Sequence, residues 1–87
     1  MEVEKIKITD PHGLHLREAA KVVRFCKKYQ SKVYLCHKCK VADSCSILDV
    51  LGLEATNGVE LAVIVEGPDE KKAAKEIAGF FNDGAGI

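Results

Sequence analysis

Apolar and polar residues alternate along several stretches of the chain, with the two-residue period of a β-strand that has one buried face. The clearest alternation runs over residues 59–65, and a weaker one runs over residues 3–9 with two isoleucines on one face. Residues 32–35 alternate in the same way, and Val41-Ala42 supplies a short apolar pair. The pattern therefore predicts four strands.

Three other segments place apolar residues three or four positions apart, which is the spacing of an amphipathic helix. They cover residues 16–28, residues 46–53 and a last segment that opens at Gly67-Pro68-Asp69-Glu70. Turn-forming residues separate helices from strands at positions 10–13 and at Asn57-Gly58. The order of elements is β-α-β-β-α-β-α. This order predicts an α+β fold in which three helices cover one face of a four-stranded sheet.

Size and composition limit the choice of function. The 87 residues suffice for a single domain, residues 1–87, and a content of 47% apolar and 30% charged residues is typical of a globular protein. The 13 basic and 13 acidic residues balance, which argues against general nucleic-acid binding. The longest apolar run, Leu61 to Val65, is too short to insert into a membrane, and the N-terminus has no hydrophobic signal segment. We therefore expect a cytoplasmic protein, acting as a monomer.

The segment that most suggests chemistry lies at the entry to the first predicted helix. There, His15 precedes a helix N-terminus, whose unpaired N–H groups and positive dipole end can hold an anion. A neutral imidazole is a nucleophile, and the positive helix end disfavours its protonated form. Arg17 offers a planar cation that matches phosphate oxygens, and Gly13 gives the backbone freedom beside the acceptor. The residues alone leave open an ordinary surface histidine beside a solvated arginine.

Three blocks of the sequence resemble one family. Gly13-Leu14-His15-Leu16-Arg17-x-Ala19-Ala20 is similar to the active-site motif of HPr, the histidine-containing phosphocarrier of the bacterial phosphotransferase system. Ser46-Ile47-Leu48-x-Val50-Leu51 resembles the regulatory-serine segment of that family, and Gly67-x-Asp69-Glu70-x-x-Ala73 resembles the start of its last helix. The three blocks stand in register with the predicted elements, and the resemblance covers nearly the whole chain.

This resemblance implies an HPr-like open-faced β-sandwich, in which a four-stranded antiparallel sheet is covered on one face by three helices. It implies that His15 accepts a phosphoryl group on Nδ1 from enzyme I, which uses phosphoenolpyruvate. His15 would then pass the group to a sugar-permease component or to a regulatory relative. Arg17 would stabilise the phosphate, together with the backbone N–H groups of Leu16 and Arg17. Such a protein is a phosphoryl carrier and not an enzyme, and it needs no cofactor.

A docking surface for successive protein partners is expected around the histidine. Family position and local composition both favour four apolar residues as its members. These residues are Leu16, Ile47, Leu48 and Leu51.

Two positions near this surface carry further interpretations. Glu18 stands where sugar-type family members carry proline, and it places a negative charge close to an incoming phosphate. Ser46 matches a serine that a dedicated kinase phosphorylates in many relatives, so a serine kinase/phosphorylase is a further expected partner. A plain N-cap of the short helix is the other interpretation of Ser46. A regulatory binding module controlled through Ser46 is an alternative function, although the presence of both His15 and Arg17 favours the carrier.

The four cysteines are expected to be reduced, since the chain shows no secretion signal. Cys26 falls on the apolar face of the first helix, where it is expected to join the core. Cys36 and Cys39 form a CxxC motif in a tight connection between strands, which can present two thiolates to a metal or form a redox pair. With favourable geometry Cys45 and His37 could complete a four-ligand site, or two protomers could instead share an ion. A metal- or redox-sensing variant is the second alternative.

Overall fold

The computed structural model describes residues 1–9 and 11–82, and its elements follow the predicted order. Asp10, the first residue of the predicted turn at positions 10–13, lies outside the described residues. The strands are β1 (Glu2–Lys7), β2 (Lys32–His37), β3 (Lys40–Asp43) and β4 (Glu60–Glu66). The helices are α1 (Leu16–Cys26), α2 (Ile47–Gly52) and α3 (Glu70–Asn82).

The four strands form one antiparallel sheet in the order β1-β4-β2-β3. Val63 pairs with Leu35 across the β4–β2 ladder, and Leu35 pairs with Ala42 on the edge strand β3. Residues that pair directly across adjacent strands point to the same face of a sheet. All three of these side chains are buried, so they lie on the face that is turned towards the core. The inner face of the sheet thus forms one side of the hydrophobic core, as the alternating pattern predicts.

The helices bury their apolar stripes against this face of the sheet. α3 packs on β1 and β4 through Ala73, Ile77 and Phe81, while α2 lies against β3 and α1. α1 ends at Cys26, two residues before the predicted end, because the chain tightens there: the Lys28 and Tyr29 N–H groups donate to carbonyls three residues back. No helix within residues 1–9 and 11–82 has both the length and the apolar character needed to cross a bilayer.

A close backbone contact brings the loop before α1 against the segment after α2. Gly13 adopts a positive φ of 70°, and a Cβ at this position would lie 2.6 Å from the Ala55 carbonyl oxygen. Glycine is therefore required by both conformation and space. The next residue, Leu14, donates its N–H to that same Ala55 oxygen at 2.9 Å. This contact fixes the direction in which the chain enters α1.

Candidate functional site

His15 is the N-cap residue of α1. Its backbone is extended, with φ −85° and ψ −178°, and its carbonyl oxygen accepts the first helical hydrogen bond from Ala19 at 2.8 Å. Its side chain makes no capping hydrogen bond and is exposed. The imidazole is therefore held at the helix start by the backbone alone, with its ring nitrogens left for other chemistry.

The groups around His15 favour negative charge. The first N–H groups of a helix have no intrahelical acceptor, so those of Leu16 and Arg17 face the end of α1 that His15 occupies. The Arg17 side chain is exposed, and it forms no ion pair with any other residue in the described part of the chain. Arg17 and two free backbone N–H groups thus belong to the first turn of the helix that His15 caps, a combination of groups suited to phosphate oxygens.

A shallow groove opens beside His15. His12 and His15 lie on one side of it, with their ring centroids 6.4 Å apart and their planes inclined at 66°. The opposite wall comes from α2 and the segment that follows it. The full set of lining residues is His12, Leu14, His15, Leu51, Glu54, Ala55 and Thr56.

Glu18 is buried and is not among the residues that line this groove. The side chain is only 7% exposed, and its Oε1 is buried with no hydrogen-bond partner. The carboxylate belongs to the first turn of α1, where the positive helix end favours it. The chain thus holds an incompletely paired acid in its interior, one turn from His15.

The four predicted docking residues differ in exposure. Leu48 is 80% exposed, Leu16 is 65% exposed and Ile47 is 36% exposed. Large apolar side chains at such exposure are typical of interaction surfaces when they cluster. Leu51 is different, because it is half-buried, packs against the core and lines the groove beside His15. It is therefore better described as part of the groove wall.

Ser46 caps α2. Its backbone is extended, and its Oγ accepts the Asp49 N–H at 3.3 Å. This geometry confirms the N-cap interpretation. The neighbouring Asp43 is tied to the same turn, because its N–H donates to the Asp49 carboxylate and its own carboxylate accepts from Cys45.

The cysteines do not assemble into a site. All four are free; Cys26 is in the core as expected, and burial raises the pKa of its thiol to about 11. Cys36 lies in β2 and lines a groove with Lys5, whereas Cys39 lies in the β2–β3 turn and lines a separate groove beside α2. Within residues 1–9 and 11–82, no three potential ligands come together to hold a metal ion.

A row of basic residues on α1 was not inferred from the sequence. Arg17, Lys21 and Arg24 are four and three residues apart, which places them in one row along α1, and Lys28 follows four residues later in the turn after the helix. The Lys28 ammonium lies 4.3 Å from the Phe25 ring centroid at the far end of the row. The spacing can be read from the sequence. The equal numbers of basic and acidic residues in the whole chain, however, do not indicate that the basic residues of α1 share one helix face.

Residues 3–83 match a sequence model described as the PTS HPr component phosphorylation site. The chain belongs to the HPr family. A Buchnera aphidicola phosphocarrier protein HPr is 35% identical over 74 residues, which are 85% of this chain and 87% of that protein. HPr of Treponema pallidum is 32% identical over 95% of this chain and 94% of its own. A solved HPr structure from Thermoanaerobacter tengcongensis, 28% identical, superposes with a TM-score of 0.93 over 100% of this chain and 98% of that one.

HPr proteins are phosphocarriers of the phosphotransferase system, and this chain has that function. The HPr fold expected from the resemblance is confirmed, with four antiparallel strands in one sheet and three helices. The fold brings His15, Arg17 and the start of α1 together, and it places Ile47 and Leu48 on the neighbouring helix α2. The candidate site is thus the N-terminus of α1, with the His15 imidazole at the N-cap position.

Proposed function

We propose that His15 accepts a phosphoryl group on Nδ1 from enzyme I and passes it to a sugar-permease component or a regulatory relative. The observation that carries this proposal is the position of the ring: His15 is the N-cap residue of α1, is exposed and takes no part in capping. An imidazole so placed can approach a donor phosphorus without first breaking a bond to the protein. The positive end of the helix then lies where the negative charge of the adduct develops.

The transfer is a displacement at phosphorus. The lone pair of the His15 ring nitrogen attacks, the new P–N bond forms, and the bond to the donor breaks with its electron pair leaving on the donor. The Leu16 and Arg17 N–H groups and the Arg17 guanidinium stabilise the phosphoryl oxygens in both directions of transfer. In the second transfer a nucleophilic group of the acceptor attacks the same phosphorus, and the P–N bond breaks with its electron pair returning to the His15 ring, so the chain is regenerated and acts as a carrier, not as an enzyme.

Partner docking is proposed on the apolar surface next to the ring. Leu16 and Leu48 are largely exposed there, and the basic row on α1 begins at Arg17. A partner with an apolar centre and an acidic rim would match both features. We place the exchange in the cytoplasm, because the four free cysteines suit a reducing compartment.

Ser46 is a proposed second modification site, for a serine kinase/phosphorylase. Its hydroxyl stands at the start of α2, where a phosphate is tolerated by the helix end, and Ile47 and Leu48 follow directly. A charged group there would lie beside the apolar docking residues. We expect Ser46→Asp to slow phosphoryl uptake from enzyme I more than Ser46→Ala does. Equal rates in the two variants would argue against control through this position.

The acceptor is tested by incubating the chain with enzyme I and phosphoenolpyruvate and measuring its intact mass. We expect one acid-labile phosphoryl group on the unmodified chain and none on His15→Ala. Arg17→Ala should accept the group more slowly, because one charge-assisted contact to the phosphate is lost. Uptake by His15→Ala equal to that of the unmodified chain would contradict the proposal.

A further inference from the structure

The last residue of β2 and the first residue of β3 contact the end of α2. Lys40 Nζ donates to the Gly52 carbonyl oxygen at 3.2 Å, and His37 Nδ1 lies 3.3 Å from the Leu53 carbonyl oxygen. The last carbonyls of a helix have no intrahelical donor, so these two side chains satisfy groups that the helix itself cannot. Because a carbonyl only accepts, the contact from His37 requires a proton on Nδ1.

The same lysine holds the residue after the helix. Glu54 has a φ of 53°, a left-handed conformation in which glycine is usual after a helix C-terminus. Lys40 Nζ also donates to Glu54 Oε1 at 3.2 Å. A non-glycine residue in this conformation is disfavoured in isolation. The contact with Lys40 therefore helps to maintain the backbone direction that the chain takes after α2.

That backbone direction leads straight to the phosphoryl-acceptor site. Ala55 follows Glu54, and its carbonyl oxygen accepts the Leu14 N–H at 2.9 Å, one residue before His15. Glu54 and Ala55 also line the groove beside the His15 ring. An unbroken series of contacts thus runs from Lys40 through the end of α2 to the residue that precedes the acceptor.

We propose that Lys40 and His37 are positioning residues for His15. By fixing the end of α2 and the Glu54–Ala55 wall, they fix Leu14 and hence the direction in which the acceptor ring enters α1. Phosphoryl transfer depends on alignment within a fraction of an ångström, so a displaced wall lowers the rate without touching the phosphate. This inference rests on the proposed role of His15, and its test therefore includes a measurement that does not need phosphoryl transfer.

The test compares Lys40→Met with the unmodified chain by amide hydrogen exchange and by the rate of phosphoryl uptake from enzyme I. Loss of these contacts should make the Leu14 amide exchange about five- to tenfold faster, which is the effect expected from losing one or two hydrogen bonds. Exchange of the Val63 amide in β4 should be unchanged. Phosphoryl uptake should fall several-fold. Glu54→Gln, which weakens the same contact from the other side, should act in the same direction.

Two matched variants separate positioning from a general loss of charge. Lys38→Asn removes the same charge from the turn that precedes Lys40, at a residue whose φ of 55° asparagine tolerates, and it should change neither measurement. Lys40→Arg keeps a donor within reach and should restore both. Leu14 exchange that is unchanged in Lys40→Met would overturn the inference, and so would an equal effect from Lys38→Asn. If the unmodified chain accepts no phosphoryl group, the proposed function fails, whereas Leu14 exchange still decides whether the contact series exists.

Discussion

The imidazole rings of His12 and His15 lie edge to face with their centroids 6.4 Å apart, yet only His15 stands at the start of a helix. Comparing these two residues therefore tests whether the position at a helix start determines which histidine accepts a phosphoryl group. They share a chemical type and a groove, and they differ in their relation to the positive end of α1.

We expect His12→Ala to accept one phosphoryl group from enzyme I, at a rate within a few-fold of the unmodified chain. The reason is that His15, and not His12, is the N-cap residue at the positive end of α1. Intact mass measured over a time course would record both the number of groups and the rate. Complete loss of uptake in His12→Ala, with the fold retained, would contradict the assignment of His15 as the only acceptor.

If partners dock on the surface beside His15, replacing an exposed apolar residue there should weaken the interaction with enzyme I, whereas replacing a similarly exposed apolar residue elsewhere should not. Leu48 is 80% exposed beside the site, and Val41 is 65% exposed on the edge strand β3. Leu48→Ser should raise the KM of enzyme I for this chain by about fivefold, which corresponds to about 1 kcal/mol of lost apolar contact. Val41→Ser should leave the KM unchanged. Both should alter the free energy of unfolding by less than about 0.5 kcal/mol, and equal KM values in the two variants would place docking elsewhere.

The contact between Asp69 and Ser31 predicts how stability depends on pH. The Ser31 hydroxyl, together with the Gln30 and Ser31 N–H groups, donates to the Asp69 carboxylate and holds its pKa below the usual 3.8. A depressed pKa in the folded state contributes stability above the unfolded pKa, and this stability is lost as the pH falls through the folded value. Asp69→Asn should therefore lose less stability than the unmodified chain between pH 7 and pH 3.

Urea unfolding at the two pH values measures this difference. Glu4→Gln is a suitable control, because Glu4 is an exposed acid on β1 that receives no such set of donors. It should keep the pH dependence of the unmodified chain. A pH dependence in Asp69→Asn as steep as that of the unmodified chain would mean that the Ser31 contact contributes nothing.

The burial of Glu18 near His15 is expected to lower the free energy of unfolding of this chain, because its Oε1 has no hydrogen-bond partner. A buried group with an unpaired oxygen costs about 1–3 kcal/mol, whereas a favourable helix-end charge contributes only about 0.3–1 kcal/mol. Glu18→Met keeps the length and the helix propensity of the side chain. It should raise the free energy of unfolding by about 1 kcal/mol. Glu18→Ala, which leaves a cavity, should gain less, and a loss of stability in Glu18→Met would show that the carboxylate is paired in solution.

Local patterns in the sequence predicted the elements and the position of His15, because helix starts and strand alternation depend on neighbouring residues. The Ser46 cap and the buried faces of β2 and β4 follow from the same kind of pattern. The burial of Glu18 did not, since an acid in a first helical turn is usually solvated and its direction depends on how α1 packs. The contacts from Lys40 to Gly52 and from His37 to Leu53 join residues 12 and 16 positions apart, and only the tertiary fold brings them together.

The most direct test of the central claim is NMR of the chain with ¹⁵N-labelled histidine, recorded before and after treatment with enzyme I and phosphoenolpyruvate. The chain has three histidines, His12, His15 and His37, so each ring can be assigned. We predict that only the ring nitrogens of His15 change, with coupling to phosphorus at Nδ1. Phosphorus coupling on the ring of His12 or His37, or no change on any ring, would contradict the account.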